Sequence, residues 1–204
     1  MRGILLAVFL AAAAPEASQD SLALLAKAAS AYGDGSAHEA AFTQIYTPAG
    51  FATSKRESGS VWIQAPQRLR FDYAAPEKKI YTYDAGEGRF FSPEDKQLAI
   101  RKLSPDEQAR LPLVFLGKPE DLAARYDIQT DASGAVLLKP RAAGSDLAWL
   151  KLVIASTGMV DSLSYEDTAG NRSEFRFEGW KAGKARPPAD YRIVGPKGTR
   201  IVEN

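Results

Sequence analysis

From residue 18 onward the chain first follows a helical spacing and then switches to alternation. Ser18 to Tyr32 carries apolar residues at Leu22, Leu25, Ala26 and Ala29, the i, i+3, i+4, i+7 spacing of one helical face. Ser18 or Asp20 is placed to cap its start, and Gly33-Asp34-Gly35 ends it. Beyond that point the period is two. Ala40, Phe42 and Tyr46 alternate with polar positions, Val61 and Ile63 with Ser60, Trp62 and Gln64, and Leu69, Phe71 and Tyr73 with Arg68, Arg70 and Asp72. Each run reads as a strand with one face on a core and the other toward water.

Breaks then come at short intervals: Pro66-Gln67, Ala75-Pro76, Asp84 to Gly88, and Ser92 to Asp95. Between them lie strand patterns at 79–84, 89–92 and 97–103. There is no room for crossover helices, so these strands form an antiparallel meander. Ser104-Pro105-Asp106-Glu107 is a capping box with Pro at the first helical position. Pro112 cuts that helix short, and the apolar run Leu113-Val114-Phe115-Leu116 follows before Gly117. A second short helix is predicted over 119–125. Strand patterns resume at 126–130, 135–139, 147–156, 159–166 and 172–180, with a terminal strand expected at 191–194. About ten to twelve antiparallel strands result. A sheet of that size curls into a barrel or splits into layers, and the few helices cover one face or plug its concave side.

The N-terminal residues sharpen this picture. Met1 to Ala14 holds one cation, Arg2, followed by an apolar or small run from Ile4. That length suits a signal-peptide core and falls short of the roughly 20 residues needed to span a bilayer. The expected organisation is a signal peptide over 1–14, cleaved near residues 12–14, and a single domain over 15–204 located in the periplasm. Charge adds little: 26 Lys+Arg against 25 Asp+Glu provide no broad basic field, so no nucleic-acid partner is implied. The absence of cysteine among 204 residues excludes disulfides, thiol catalysis, Cys-based zinc sites and lipid attachment to an N-terminal Cys.

Catalytic chemistry finds little support. His38 is the one histidine, no Gly-x-Ser-x-Gly elbow accompanies it, and it reads as an ordinary polar residue at a strand start. Gly86-Glu87-Gly88 lacks the third glycine and following helix of a dinucleotide loop, and reads as a hairpin. The carboxylate pairs Glu94-Asp95, Asp106-Glu107 and Glu120-Asp121 fall at turns or helix starts, where they cap backbone amides. No catalytic residue, metal site or cofactor site is predicted. Apolar excess stands out instead: 148–154 is apolar on both faces apart from Lys151, and Phe90, Phe91, Phe175, Phe177 and Trp180 add aromatic area. Together with the 113–116 run this suggests a concave apolar sheet under a movable lid, suited to an amphipathic ligand.

At Phe42-Thr43-Gln44, Gly59-Ser-Val-Trp-Ile63, Pro66 followed by Leu69-Arg-Phe-Asp-Tyr73, Pro76, the Tyr83-Asp84 hairpin, the 111–116 segment, Tyr126-Asp-Ile128 and the Pro196-x-Gly198 turn, the chain resembles the periplasmic outer-membrane lipoprotein carrier family, LolA. The resemblance runs from Leu22 to Val202. It implies an unclosed β-barrel, mainly β with some α, whose hydrophobic cavity lies under a helical lid. It further implies a monomeric carrier, neither enzymatic nor cofactor-dependent. Such carriers take acylated lipoproteins from an inner-membrane ABC transporter and deliver them to an outer-membrane receptor. On the strand alternation, Val61, Ile63, Leu69, Phe71 and Tyr73 are expected to line the cavity, with Leu113, Val114, Phe115 and Leu116 packing in from the lid. Family members usually carry Arg or Lys just before the proline corresponding to Pro66, a residue associated with holding the lid. This chain has Ala65, leaving Arg68 or Arg70 as substitutes, or a lid held differently. A carrier or sensor of another amphiphile, such as a glycolipid, and a secreted hydrolase are the alternative readings.

Overall fold

The computed structural model describes residues 19–104, 108 and 118–203. Helix α1 (Gln19–Tyr32) precedes six strands, β1 (Ala37–Thr47), β2 (Lys55–Gln64), β3 (Arg68–Ala75), β4 (Lys79–Asp84), β5 (Glu87–Ser92) and β6 (Gln97–Lys102). A short helix α2 (Pro119–Arg125) then leads into β7 (Tyr126–Thr130), β8 (Val136–Pro140), β9 (Leu147–Ile154), β10 (Val160–Asp167) and β11 (Arg172–Gly183), and the chain closes on β12 (Arg200–Glu203). The expected signal peptide and the 113–116 lid run lie outside the described residues.

All 12 strands form one sheet, ordered β12-β6-β5-β4-β3-β2-β1-β11-β10-β9-β8-β7. Two meanders, one from each half of the sequence, join through the β1–β11 ladder. No ladder joins β7 to β12, so the sheet stays open. Its pairings are antiparallel except the last, where β12 runs parallel to β6. That parallel pair departs from the all-antiparallel expectation. It arises because the tail crosses the sheet before pairing, reaching β6 from the far side.

The register puts one set of side chains on a common inner face. Phe42 pairs with Gly59 and Phe177, Val61 with Ala40 and Phe71, and Phe71 with Tyr81. Phe90 on β5 and Leu163 on β10 line the same cavity, although five strands separate them. In a flat sheet with about 4.8 Å between strands they would lie far beyond reach of one ligand, so the sheet is strongly curved. Gly59 serves this curvature: a Cβ there would sit 1.9 Å from the Asp72 carbonyl oxygen. The bare position also lets Phe42 and Tyr73, on the strands either side, meet edge to face at 4.9 Å.

Helix α1 covers the β7–β10 end of the concave face. Its buried stripe is Ser21, Leu25, Ala28 and Tyr32, turned from the Leu22/Leu25/Ala26/Ala29 face that hydrophobicity predicted. Two polar contacts account for the turn: Ser21 Oγ hydrogen-bonds Thr130 Oγ1 at 2.6 Å, and the Tyr32 hydroxyl accepts the Val160 N–H at 3.1 Å. Gly158, at φ +89°, lets the β9–β10 turn press against the helix, since a Cβ there would meet Ala31 and the Lys27 carbonyl at 2.8 Å. Leu25, Ala28 and Tyr32 join Ile128, Leu138, Leu150 and Leu152 in the core.

The terminal strand expected at 191–194 is absent. Pro188–Asp190 forms a 3-10 turn, and the segment lies across the convex face of β2 to β5. Arg70 Nη1 donates to the Asp190 carbonyl at 2.7 Å and Arg89 Nη1 to that of Ile193 at 2.8 Å. Guanidinium groups thus take carbonyls that a strand ladder would have used, and Pro187 and Pro188 provide no N–H donors. Tyr191 is fully buried at this contact, its hydroxyl on Gln64 Oε1 at 3.3 Å. Strand pairing follows only at β12.

Candidate functional site

The concave face not covered by α1 holds a cavity of about 270 Å³. Ile63 of β2, Leu69, Phe71 and Tyr73 of β3, Tyr81 and Tyr83 of β4 and Phe90 of β5 form one wall; Val160, Leu163 and Tyr165 of β10 with Phe175, Phe177 and Trp180 of β11 form the other. Four of the five predicted cavity residues therefore face this space. Val61 shares their face but is wholly buried, packed beneath the lining instead of forming part of it.

The walls meet through aromatic contacts. Phe71 lies 5.5 Å from Phe175, Phe175 stacks on Phe177 at 6.1 Å, and Phe177 tilts against Trp180 at 5.5 Å. Phe42 backs the cluster, 5.0 Å from Phe71. The Trp180 indole N–H donates to the Val160 carbonyl at 2.8 Å, which satisfies its one polar atom and leaves the ring as apolar surface. His38 lies at the α1 end, buried edge-on to Tyr32 at 5.2 Å, its Nδ1 without a hydrogen-bond partner among the described residues. It is thus a core residue and not the ordinary polar residue expected from the sequence.

Polar groups gather at the opposite end. The Tyr73 hydroxyl donates to Gln44 Oε1 at 2.7 Å, and Gln44 Nε2 reaches Ser173 Oγ at 3.4 Å. Lys79 Nζ donates to both carboxylate oxygens of Glu57, at 2.7 and 2.9 Å. Burial pushes the phenols of Tyr73, Tyr81 and Tyr165 above the ordinary tyrosine range, so all three are neutral donors at physiological pH. Sequence reading missed Gln44, Glu57, Lys79, Tyr81 and Tyr165. Alternation signalled two of them: Gln44 continues the Ala40/Phe42 parity, and Tyr81 falls two positions from Tyr83.

Chemically, the site is an apolar trough with a polar end. Among the described residues no group of three or more His, Asp or Glu side chains is placed to hold a metal ion. The sequence of residues 35–193 matches the family described as outer membrane lipoprotein carrier protein LolA. The chain belongs to the LolA family. It is 29% identical over 175 residues to an outer-membrane lipoprotein carrier protein of Xanthomonas campestris, covering 79% of each chain. A Pseudomonas fluorescens protein of the same description is 23% identical over 167 residues, with 80% of each covered. Among solved structures, an uncharacterized conserved protein from Thermus thermophilus superimposes with a TM-score of 0.55 at 13% identity, covering 91% of this chain and all of that one. This last likeness concerns the fold alone.

The LolA resemblance raised Arg68 and Arg70 as stand-ins for the basic residue absent at Ala65. Both lie on the convex face. Arg68 Nε donates to Asp84 Oδ1 at 3.0 Å and stacks over Tyr191, while Arg70 holds Asp72 at 2.9 Å and the Asp190 carbonyl. They anchor the C-terminal segment and do not point into the cavity.

Proposed function

We propose that this LolA-family protein carries acylated lipoproteins across the periplasm, with their acyl chains held in the concave cavity. The observation that carries the reading is the aromatic-lined trough between β3 and β11, an apolar surface on the inner face of an open sheet that α1 leaves uncovered. Each buried methylene contributes about 0.8 kcal/mol. Drawing several chains from a membrane into a small cavity therefore calls for an energised donor, the role of the inner-membrane ABC transporter, and delivery calls for an outer-membrane receptor. The Leu113–Leu116 segment acts as the lid. Filling the empty cavity, it lowers apparent affinity by the cost of displacing it, which keeps binding reversible.

Phe71→Asp places a carboxylate in the trough while leaving the ladder bonds of β3 intact. Protein purified from bacterial envelopes and analysed by native mass spectrometry is expected to co-purify with an acylated protein, and the variant to arrive empty with unchanged far-UV circular dichroism. Normal loading of the variant would refute the cavity assignment. A free lipid in place of an acylated protein would favour a carrier of another amphiphile.

A further inference from the structure

Burial falls off along the concave strands toward one end. β1 is buried through Gln44 and half-buried at Tyr46, β2 starts with exposed Lys55 and Arg56, and β3 ends with exposed Ala74 and Ala75. At this boundary the apolar trough gives way to a polar band formed by neighbouring strands. Its centre is Lys79, whose ammonium lies 4.4 Å from the centre of the Tyr73 ring and whose side chain lines the cavity. An ammonium carries three N–H donors. Two go to Glu57, which leaves one. Two positions along β4, on the same face, the Tyr81 hydroxyl has no hydrogen-bond partner among the described residues and also borders the cavity.

The band therefore offers donors but little net charge. The Glu57 carboxylate, with 5% of its side chain exposed, faces Lys79 at 2.7 Å and Lys55 at 3.3 Å, and Lys55 also pairs with Glu77 at 3.2 Å. Two ammonium groups are balanced by two carboxylates. An uncharged carbonyl can accept the spare Lys79 N–H and the Tyr81 O–H without disturbing this balance. A phosphodiester drawn to Lys79 must share that cation with a buried carboxylate, in a setting where like charges are poorly screened.

We infer that this band is a specificity filter: it admits the neutral ester and amide carbonyls that link acyl chains to a lipoprotein, and rejects the phosphodiester headgroups of membrane phospholipids. The inference rests on the cavity holding acyl chains. Glu57 sets the rejection, Lys79 and Tyr81 supply the acceptance, and the tails extend toward Trp180.

The test compares two probes with the same lauroyl chain, neutral monolauroylglycerol and anionic lauroyl-lysophosphatidylglycerol. Each is titrated below its micellar concentration into the protein by isothermal calorimetry. The unaltered protein is expected to bind the neutral probe at least tenfold more tightly. Glu57→Gln should bring the ratio toward unity, and Lys79→Gln should widen it by leaving the carboxylate less compensated. Damage to the fold lowers both affinities together and leaves the ratio in place, so the opposite shifts separate a filter from a structural defect. Equal affinities in the unaltered protein, or a ratio that moves the same way or not at all in the two variants, overturn the filter and leave the cavity reading standing. Binding of neither probe by the unaltered protein overturns both.

Discussion

At the scale of single residues, the decisive positions are those where an extra atom or a missing acceptor has nowhere to go. Gly59 is one, because its missing side chain meets backbone on β3 and not a movable side chain. Gly59→Ala is expected to lower stability by about 2–3 kcal/mol, the upper part of the range for overpacking, measured as a urea midpoint shift. A loss below 0.5 kcal/mol would mean that β3 yields easily. Tyr32 is another, since its hydroxyl is the acceptor for the buried Val160 N–H. Tyr32→Phe leaves that amide unsatisfied at a cost of about 1–3 kcal/mol, and the Val160 amide should exchange faster than its neighbours in hydrogen-exchange measurements.

At the scale of elements, α1 closes one end of the concave face and so defines where the cavity begins. Leu25 is wholly buried at the centre of its stripe, and Leu25→Ala should cost about 2–5 kcal/mol by thermal or urea unfolding, with the spread set by how far the helix settles into the gap. The strands were the most legible part of the sequence. The alternation of Leu69, Phe71 and Tyr73 pointed to one inward face of β3, and Pro119 marked the start of α2. The turn of α1 was not legible, because a serine on the buried stripe becomes favourable only once Thr130, more than a hundred residues away, is opposite it. The polar band was hidden for the same reason. Glu57 and Lys79 come together only through the registers of β2, β3 and β4, and neither residue carries a local pattern that announces the other. Nor could charge alone show that Arg70 and Arg89 bind backbone carbonyls of the tail, which removed the strand expected at 191–194.

At the scale of the whole molecule, two layers of interaction hold the curved sheet: side chains of α1 inside and the C-terminal segment outside. The outer layer depends on Asp84, which accepts Arg68 on its own sheet and Arg192 from the tail. Burial opposes its ionisation, but the two arginines outweigh that and hold its carboxyl below the usual range. A carboxyl lowered on folding contributes stability above its unfolded value, near 3.9, and that contribution is lost as pH falls through the folded value. Hydrogen exchange across residues 186–203 should therefore accelerate in acid below about pH 4, before the central strands open. Asp84→Asn should show the faster exchange already at neutral pH; protection of the tail in that variant would place its anchorage elsewhere. The missing ladder between β7 and β12 has a mechanical consequence. In a closed barrel, strand number and shear fix the radius, so added volume has to break hydrogen bonds. Here, among the described residues, no ladder ties β7 to β12, so the two edges can part without breaking a described ladder. If the cavity holds acyl chains as proposed, the two edges part as a chain enters and draw together as it leaves.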